Sequence, residues 1–382
     1  MNLSLSNALV LIALLSLLYI ANSHAQLAVD PADGNYLTHN GVRKLFLCET
    51  PCLPDGTKAA KVCNFDLDYF DRADYVNHVF ITLTDLYERA KWSSLVKCGS
   101  DIAYWTKLGR IAKAAHDHNV VLGICLFSYS VFGTSPYKNA FSSECTQCSG
   151  SVGPLVMGRG FFNYQSSSQV VAVQKTIMEN VVKYTGMYDN VYYVGMWEVG
   201  SKRARAQSNW AGWNRWFVSA MKAHEVKYGS CKHLFAIEAT PKSSVELSQW
   251  RDWGISFQVD EDANALKQTN FPLMMWSADG WLRGNIPEWP ANPLWNADDA
   301  DQLTGYCDRP DGKCEPIRNV DFMRWCVEEW GVAGVASSWV ADEYERDMLR
   351  QLDAEYNHQQ PPPKCPVERN CEQCHSNVIV NQ

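Results

Sequence analysis

Apolar residues in this chain gather in eight short runs, at residues 44–49, 78–85, 120–128, 191–200, 233–240, 254–260, 272–279 and 332–341. Most are apolar almost without interruption, the pattern of strands buried on both faces. Helical spacing fills the segments between them. It is clearest over 101–119, where Ile102, Trp105, Leu108, Ile111, Ala112 and Ala115 share one face. Residues 169–184 and 210–228 keep the same period, 319–330 precedes the last run, and a further helix is expected within 65–76. Strand–helix alternation repeated eight times predicts a parallel α/β sheet. That many repeats in roughly 320 residues suit a closed (β/α)8 TIM barrel better than an open doubly wound sheet. No Gly-x-Gly-x-x-Gly turn follows the first run, which weakens a dinucleotide-binding fold.

The pattern also divides the chain. Residues 7–20 are apolar but too few to span a bilayer comfortably, and Ser23-His24-Ala25 supplies the small residues of a signal-peptidase site. No Lys or Arg precedes the run, so positive charge there comes from the α-amino group alone. We expect a signal peptide over 1–25, with a membrane anchor as the alternative, and a barrel over 26–358. Residues 359–382 form a tail stiffened by Pro361-Pro362-Pro363 and rich in Cys. Insertions at 132–162 and 280–311 follow the third and seventh runs, so both are expected over the barrel mouth.

Charge narrows the partners. A formal net charge of −8 without long like-charge runs argues against nucleic acid. All 14 cysteines follow the signal segment, which in an exported chain predicts disulfides. Cys48 with Cys52, and Cys307 with Cys314, are close enough to bracket single loops; the pairing itself cannot be read from spacing. No Asn-x-Ser/Thr sequon follows residue 25. The 15 Trp and 17 Tyr offer flat faces for sugar rings, although for any one Trp a place in the core is the better expectation.

Chemistry in a (β/α)8 barrel sits at the C-terminal ends of the strands. There the runs offer Glu49, Asp85, Glu198, Glu238, Asp260, Asp279 and Asp342, an acidic ring suited to glycoside hydrolysis, which needs two carboxyl groups flanking one bond. Each acid alone could equally be a salt bridge or a loop hydrogen bond.

Several stretches resemble the clan A glycoside hydrolases, the cellulase and β-mannanase group. Asn35-Tyr-Leu-Thr-His-Asn-Gly41 followed by Lys44-Leu-Phe-Leu47 is similar to their entry into the first strand. Residues 101–125, 210–234 and 332–339 resemble their second helix with third strand, the long helix after strand four, and the last strand with its sugar-floor Trp, here Trp339. The likeness covers most of 35–345. The family's fourth strand reads Trp/Tyr-Glu-aliphatic-x-Asn-Glu, the last Glu being the acid/base. One placement matches Trp197-Glu198-Val199-Gly200 and puts Ser201 for Asn and Lys202 for the catalytic Glu; the other sets Trp197-Glu198 on Asn-Glu. On the seventh strand Ser277 falls near the nucleophile position, with Asp279 two residues on and on the same strand face.

The resemblance implies a secreted glycoside hydrolase that cleaves O-glycosidic bonds of a β-mannan- or β-glucan-like polysaccharide. Glu198 is the candidate acid/base and Asp279 the candidate nucleophile or stabiliser. Trp276, Trp281 and Trp339 would stack on sugar, with Glu49, Trp197, Lys202 and Glu238 also at the substrate. Lys202 beside carboxylates should stay charged, pairing with Asp279 or holding an anionic sugar; Arg203 and Arg205 follow closely, and the alternative is a solvated loop bearing all three cations. The alternative is a catalytically inactive carbohydrate-binding or matrix barrel. No cofactor is expected. Cys371-Glu-Gln-Cys374-His375 fits a c-type haem attachment, and Cys145, Cys148, Cys371 and Cys374 fit a four-thiolate zinc site, but disulfides are the preferred reading in an exported chain. His116 and His118 read as a solvated helix end rather than metal ligands.

Overall fold

A computed structural model describes residues 27–49, 69–72, 76–83, 102–128, 161–166, 169–197, 199, 205, 209–239, 241–260, 271–276, 324, 327–328, 331–336 and 343–358. The chain opens with three short antiparallel strands, β1 (Leu27–Val29), β2 (Leu37–His39) and β3 (Val42–Arg43). Eight parallel strands then close into a barrel: β4 (Phe46–Glu49), β5 (His78–Thr82), β6 (Val121–Ser128), β7 (Val191–Trp197), β8 (Leu234–Ile237), β9 (Phe257–Asp260), β10 (Leu273–Trp276) and β11 (Gly334–Ala336). Each of the eight apolar runs holds one of them. Closure is made by β11 on β4, with Gly334 opposite Phe46. A side chain at Gly334 would meet the Phe46 carbonyl at 2.7 Å, so the closing seam needs glycine.

Strand alternation sorts the apolar residues into two cores. One fills the barrel: Phe46, Cys48, Phe80, Val121, Cys125, Tyr192, Val194, Ala236, Phe257, Val259, Met274 and Ala333. The other lies between strands and helices and takes residues of opposite parity, such as Leu47, Val79, Ile124, Tyr193 and Phe235. Inside the barrel a large residue faces a small one: Gly123 leaves the room that the Tyr192 ring occupies. Leu27 and Leu37 of the N-terminal sheet join the interior core, which also holds Val121 at the start of β6 and Ala333 just before β11. That sheet therefore stoppers the N-terminal end of the barrel. Its hairpin turns at Asn40 and Gly41, both at positive φ (54° and 74°), and the Arg43 guanidinium holds Asp30 and covers the Tyr36 ring at 4.3 Å.

The helices are α1 (Tyr69–Arg72), α2 (Ile102–Asp117), α3 (Gln169–Thr185), α4 (Trp210–Tyr228), α5 (Ser244–Trp253) and α6 (Glu343–Tyr356). On α2 the expected face is buried with one correction: Ile102 is 71% exposed. It opens the helix, and helical side chains lean toward the N-terminus, so it projects past the layer instead of onto the strands. The α4 stripe of Trp210, Trp213, Phe217, Val218 and Met221 packs on the barrel. Trp105, Trp213 and Trp250 are fully buried, so these three rings serve the core and not a sugar. His118 is more than a solvated helix end: its ring bonds Asp71 at 2.8 Å and stacks on Phe70, fastening α1 to α2. Asn357 brackets Leu45, accepting from its N–H at 3.0 Å and donating to its carbonyl at 3.1 Å, which ties the end of α6 to the start of the barrel.

Candidate active site at the C-terminal end of the barrel

The N-terminal end is filled by the stopper sheet, which leaves the opposite end for chemistry. Backbone register puts several expected site residues at that end. Glu49, Trp197, Asp260 and Trp276 are the last residues of β4, β7, β9 and β10. Trp276 pairs with Ala336, which pairs with Cys48, so β10 and β11 finish level and β4 runs one residue further, to Glu49. Ser128 pairs with Trp197 at the ends of β6 and β7. Glu238 directly follows β8 and shares strand parity with Ala236 of the interior core; the residue is buried, 6% exposed. Glu198, Lys202, Asp279, Trp281 and Trp339 lie outside the described residues. So do the signal segment, residues 132–160 and 280–311, the tail, Cys52, Cys307, Cys314 and the four cysteines of the zinc reading.

Toward the N-terminal end, near the strand starts, the barrel interior is polar along one line. The His78 ring nitrogen Nε2 lies 2.9 Å from the Tyr192 hydroxyl, and that hydroxyl points at the Met274 sulfur at 3.8 Å. The line joins β5, β7 and β10, three strands that are not neighbours in the barrel wall. Burial holds His78 down to about 3, so it stays neutral, and burial pushes the Tyr192 phenol well above its ordinary value. The Cys125 thiol is occupied with the Phe127 carbonyl at 3.1 Å. Among the described residues no group of His, Cys, Asp and Glu could hold a metal ion.

Sequence reasoning missed how Val199, two residues past β7, is anchored. Val199 is buried, and its carbonyl accepts the indole N–H of Trp210 at 2.6 Å. The Arg205 guanidinium lies over that indole at 4.8 Å and donates to Glu246 Oε1 at 2.7 Å. Side-chain exposure is 10% for Arg205 and 16% for Glu246, so this is a mostly buried pair. For Arg205 this rules out the alternative of a solvated loop cation. Its carboxylate partner is 41 residues away and reaches it only through the folding of α5.

No protein-family model matches this chain, and no curated protein matches it. Among solved structures, the β-mannanase of the blue mussel Mytilus edulis superposes with a TM-score of 0.49 at 11% identity, covering 86% of this chain and 96% of that one. The endo-1,4-β-mannanase of Rhizomucor miehei gives 0.49 at 11%, over 85% and 98%. The β-1,4-mannanase of the sea hare Aplysia kurodai gives 0.47 at 10%, over 86% and 97%. The chain is thus similar in structure to β-mannanases at low sequence identity, and its own strand order makes it an α/β chain with a closed barrel of eight parallel strands.

Proposed function

We propose that this chain is an exported glycoside hydrolase acting on a β-mannan- or β-glucan-like polysaccharide, with Glu198 as acid/base and Asp279 as nucleophile. The observation that carries the reading is the contact between β7 and β10 through the barrel, where Tyr192 and Met274 lie 3.8 Å apart. Each of these strands is followed in sequence by an acid, Glu198 one residue after β7 and Asp279 three residues after β10. Two acids carried by strands that face each other across a narrow interior are what cleavage between two carboxyl groups requires. In the retaining form, Glu198 protonates the leaving oxygen while Asp279 attacks the anomeric carbon and forms a glycosyl ester. Water, deprotonated by Glu198, then attacks the same carbon and releases Asp279. Glu49, Trp197, Glu238 and Trp276 are assigned to substrate on their place at the strand ends, and Lys202, Trp281 and Trp339 on sequence alone.

A second reading is favoured by Ser201, Lys202 and Ser277, which stand where the resembling family keeps Asn and its catalytic acids. Under it the barrel binds glycan without cleaving it. Reducing-sugar release from mannan, xylan, β-glucan and cellulose, run beside a glycan array with the same protein, separates the two. Release supports the hydrolase; array binding without release supports the binder. Export rests on the apolar run over 7–20 and on the small residues at 23 and 25.

A further inference from the structure

We propose that Arg205 is a positioning residue for the end of β7, acting through Trp210 and Val199; the inference rests on Glu198 being the acid/base. Side chains and backbone groups form one chain of contacts. Glu246 uses both carboxylate oxygens, Oε1 on Arg205 at 2.7 Å and Oε2 on the Lys242 N–H at 2.6 Å. It is itself fixed at the start of α5, where its backbone N–H donates to the N-cap Ser243 hydroxyl at 3.2 Å. Arg205 carries that fixed point to the Trp210 indole, and the indole N–H holds the Val199 carbonyl. Val199 is 1% exposed and is the residue next to Glu198. Val199, two residues past the fourth barrel strand, is thereby referenced to the helix after the fifth.

Packing alone does not account for the arrangement. An apolar side chain stacked on Trp210 would stabilise the fold as well as a buried ion pair does, because desolvation offsets most of the Coulomb gain. What the pair adds is direction. The planar guanidinium donates toward a carboxylate whose other oxygen is already committed, so the indole and the carbonyl it grips are held in one place. A catalytic acid displaced by about 1 Å costs on the order of 100-fold in rate.

The test compares Arg205→Met, Arg205→Lys and Glu246→Gln with the wild-type chain in steady-state hydrolysis and in amide hydrogen exchange. Met keeps the apolar cover of Trp210 and loses the charge. We expect Arg205→Met to fold with a thermal midpoint lowered by several degrees, because Glu246 loses its partner, to lose about 10–100-fold in kcat with little change in KM, and to move the acid limb of the pH profile. Arg205→Lys should recover part of the kcat. Wild-type kcat and an unmoved pH profile in a folded Arg205→Met variant overturn the proposal. If the wild-type chain hydrolyses nothing, the hydrolase reading fails separately and exchange decides this one. Faster exchange confined to residues 198–204 in Arg205→Met supports positioning, and unchanged exchange overturns it.

Discussion

The Tyr192 hydroxyl stands between His78 Nε2 at 2.9 Å and the Met274 sulfur at 3.8 Å, and so joins β7 to β10 through the middle of the barrel. This contact links the two strands that precede the proposed acids across one narrow interior. It also leaves no space for a side chain at Gly123.

Gly123→Ala should therefore be strongly destabilising. Its added Cβ would overlap the Tyr192 ring and hydroxyl and approach Phe80 at 2.7 Å. Overpacking of this kind costs about 1–3 kcal/mol. Tyr192→Phe should not rescue it, since a ring carbon as well as the hydroxyl stands in the way. Denaturant unfolding of the two single variants and the double variant measures this. Recovery of wild-type stability in the double variant would show that the ring does not fill the space left by Gly123.

Acid should weaken the fold well before the carboxylates are protonated. His39 is pushed down to about 4 by burial, with Lys44 and His116 adding repulsion, and His78 to about 3 by burial alone. Unfolded histidines titrate near about 6.5. Below that value the unfolded chain takes up protons that the folded chain refuses, so stability falls as pH drops from about 6.5 toward 4, by up to about 1.4 kcal/mol per pH unit for each histidine. Urea midpoints at pH 7 and pH 5 should differ in that direction, and His39→Phe should flatten the slope. An equal slope in the variant contradicts the burial argument. His118 has the opposite sign: the Ala114 carbonyl and then Asp71 raise it, so its small contribution is present at low pH and fades as pH rises through its folded value.

The far end of the barrel contains a buried pair whose loss should cost stability but not chemistry. Glu225 Oε1 takes the His233 ring Nδ1 at 2.7 Å and its backbone N–H at 3.1 Å, while the other ring nitrogen faces the Tyr188 carbonyl at 3.1 Å. Glu225→Leu would strand His233 in the core at a cost of about 3 kcal/mol. The denaturant midpoint should fall while kcat of the folded fraction stays the same. A loss below about 1 kcal/mol would mean that the pair is no more than a surface bridge.

Much of this fold is legible in the amino-acid sequence. Strands buried on both faces announce themselves as apolar runs, and each of the eight runs holds its strand; α4 matches residues 210–228 end to end. The N-terminal hairpin carries a turn signal as well, Asn40-Gly41 between β-prone residues, although family resemblance alone presents the stretch as an entry into the first strand. Helix α5 bears its marks too, a Ser243 cap and a Gly254 stop at φ 88°. Places at strand ends are legible too, as for Glu49, Trp197, Glu238 and Trp276. The place of Arg205 is not legible, because a cation in a polar loop looks solvated until a distant carboxylate folds against it.

The central claim is that the acids after β7 and β10 still do chemistry. The most direct measurement is release of reducing sugar from mannan and β-glucan by the purified chain, beside its Glu198→Gln and Asp279→Asn variants. We expect hydrolysis by the wild-type chain and a loss of about 10³-fold in kcat in each folded variant. Hydrolysis that survives both substitutions, or glycan binding without hydrolysis in the wild-type chain, would contradict it.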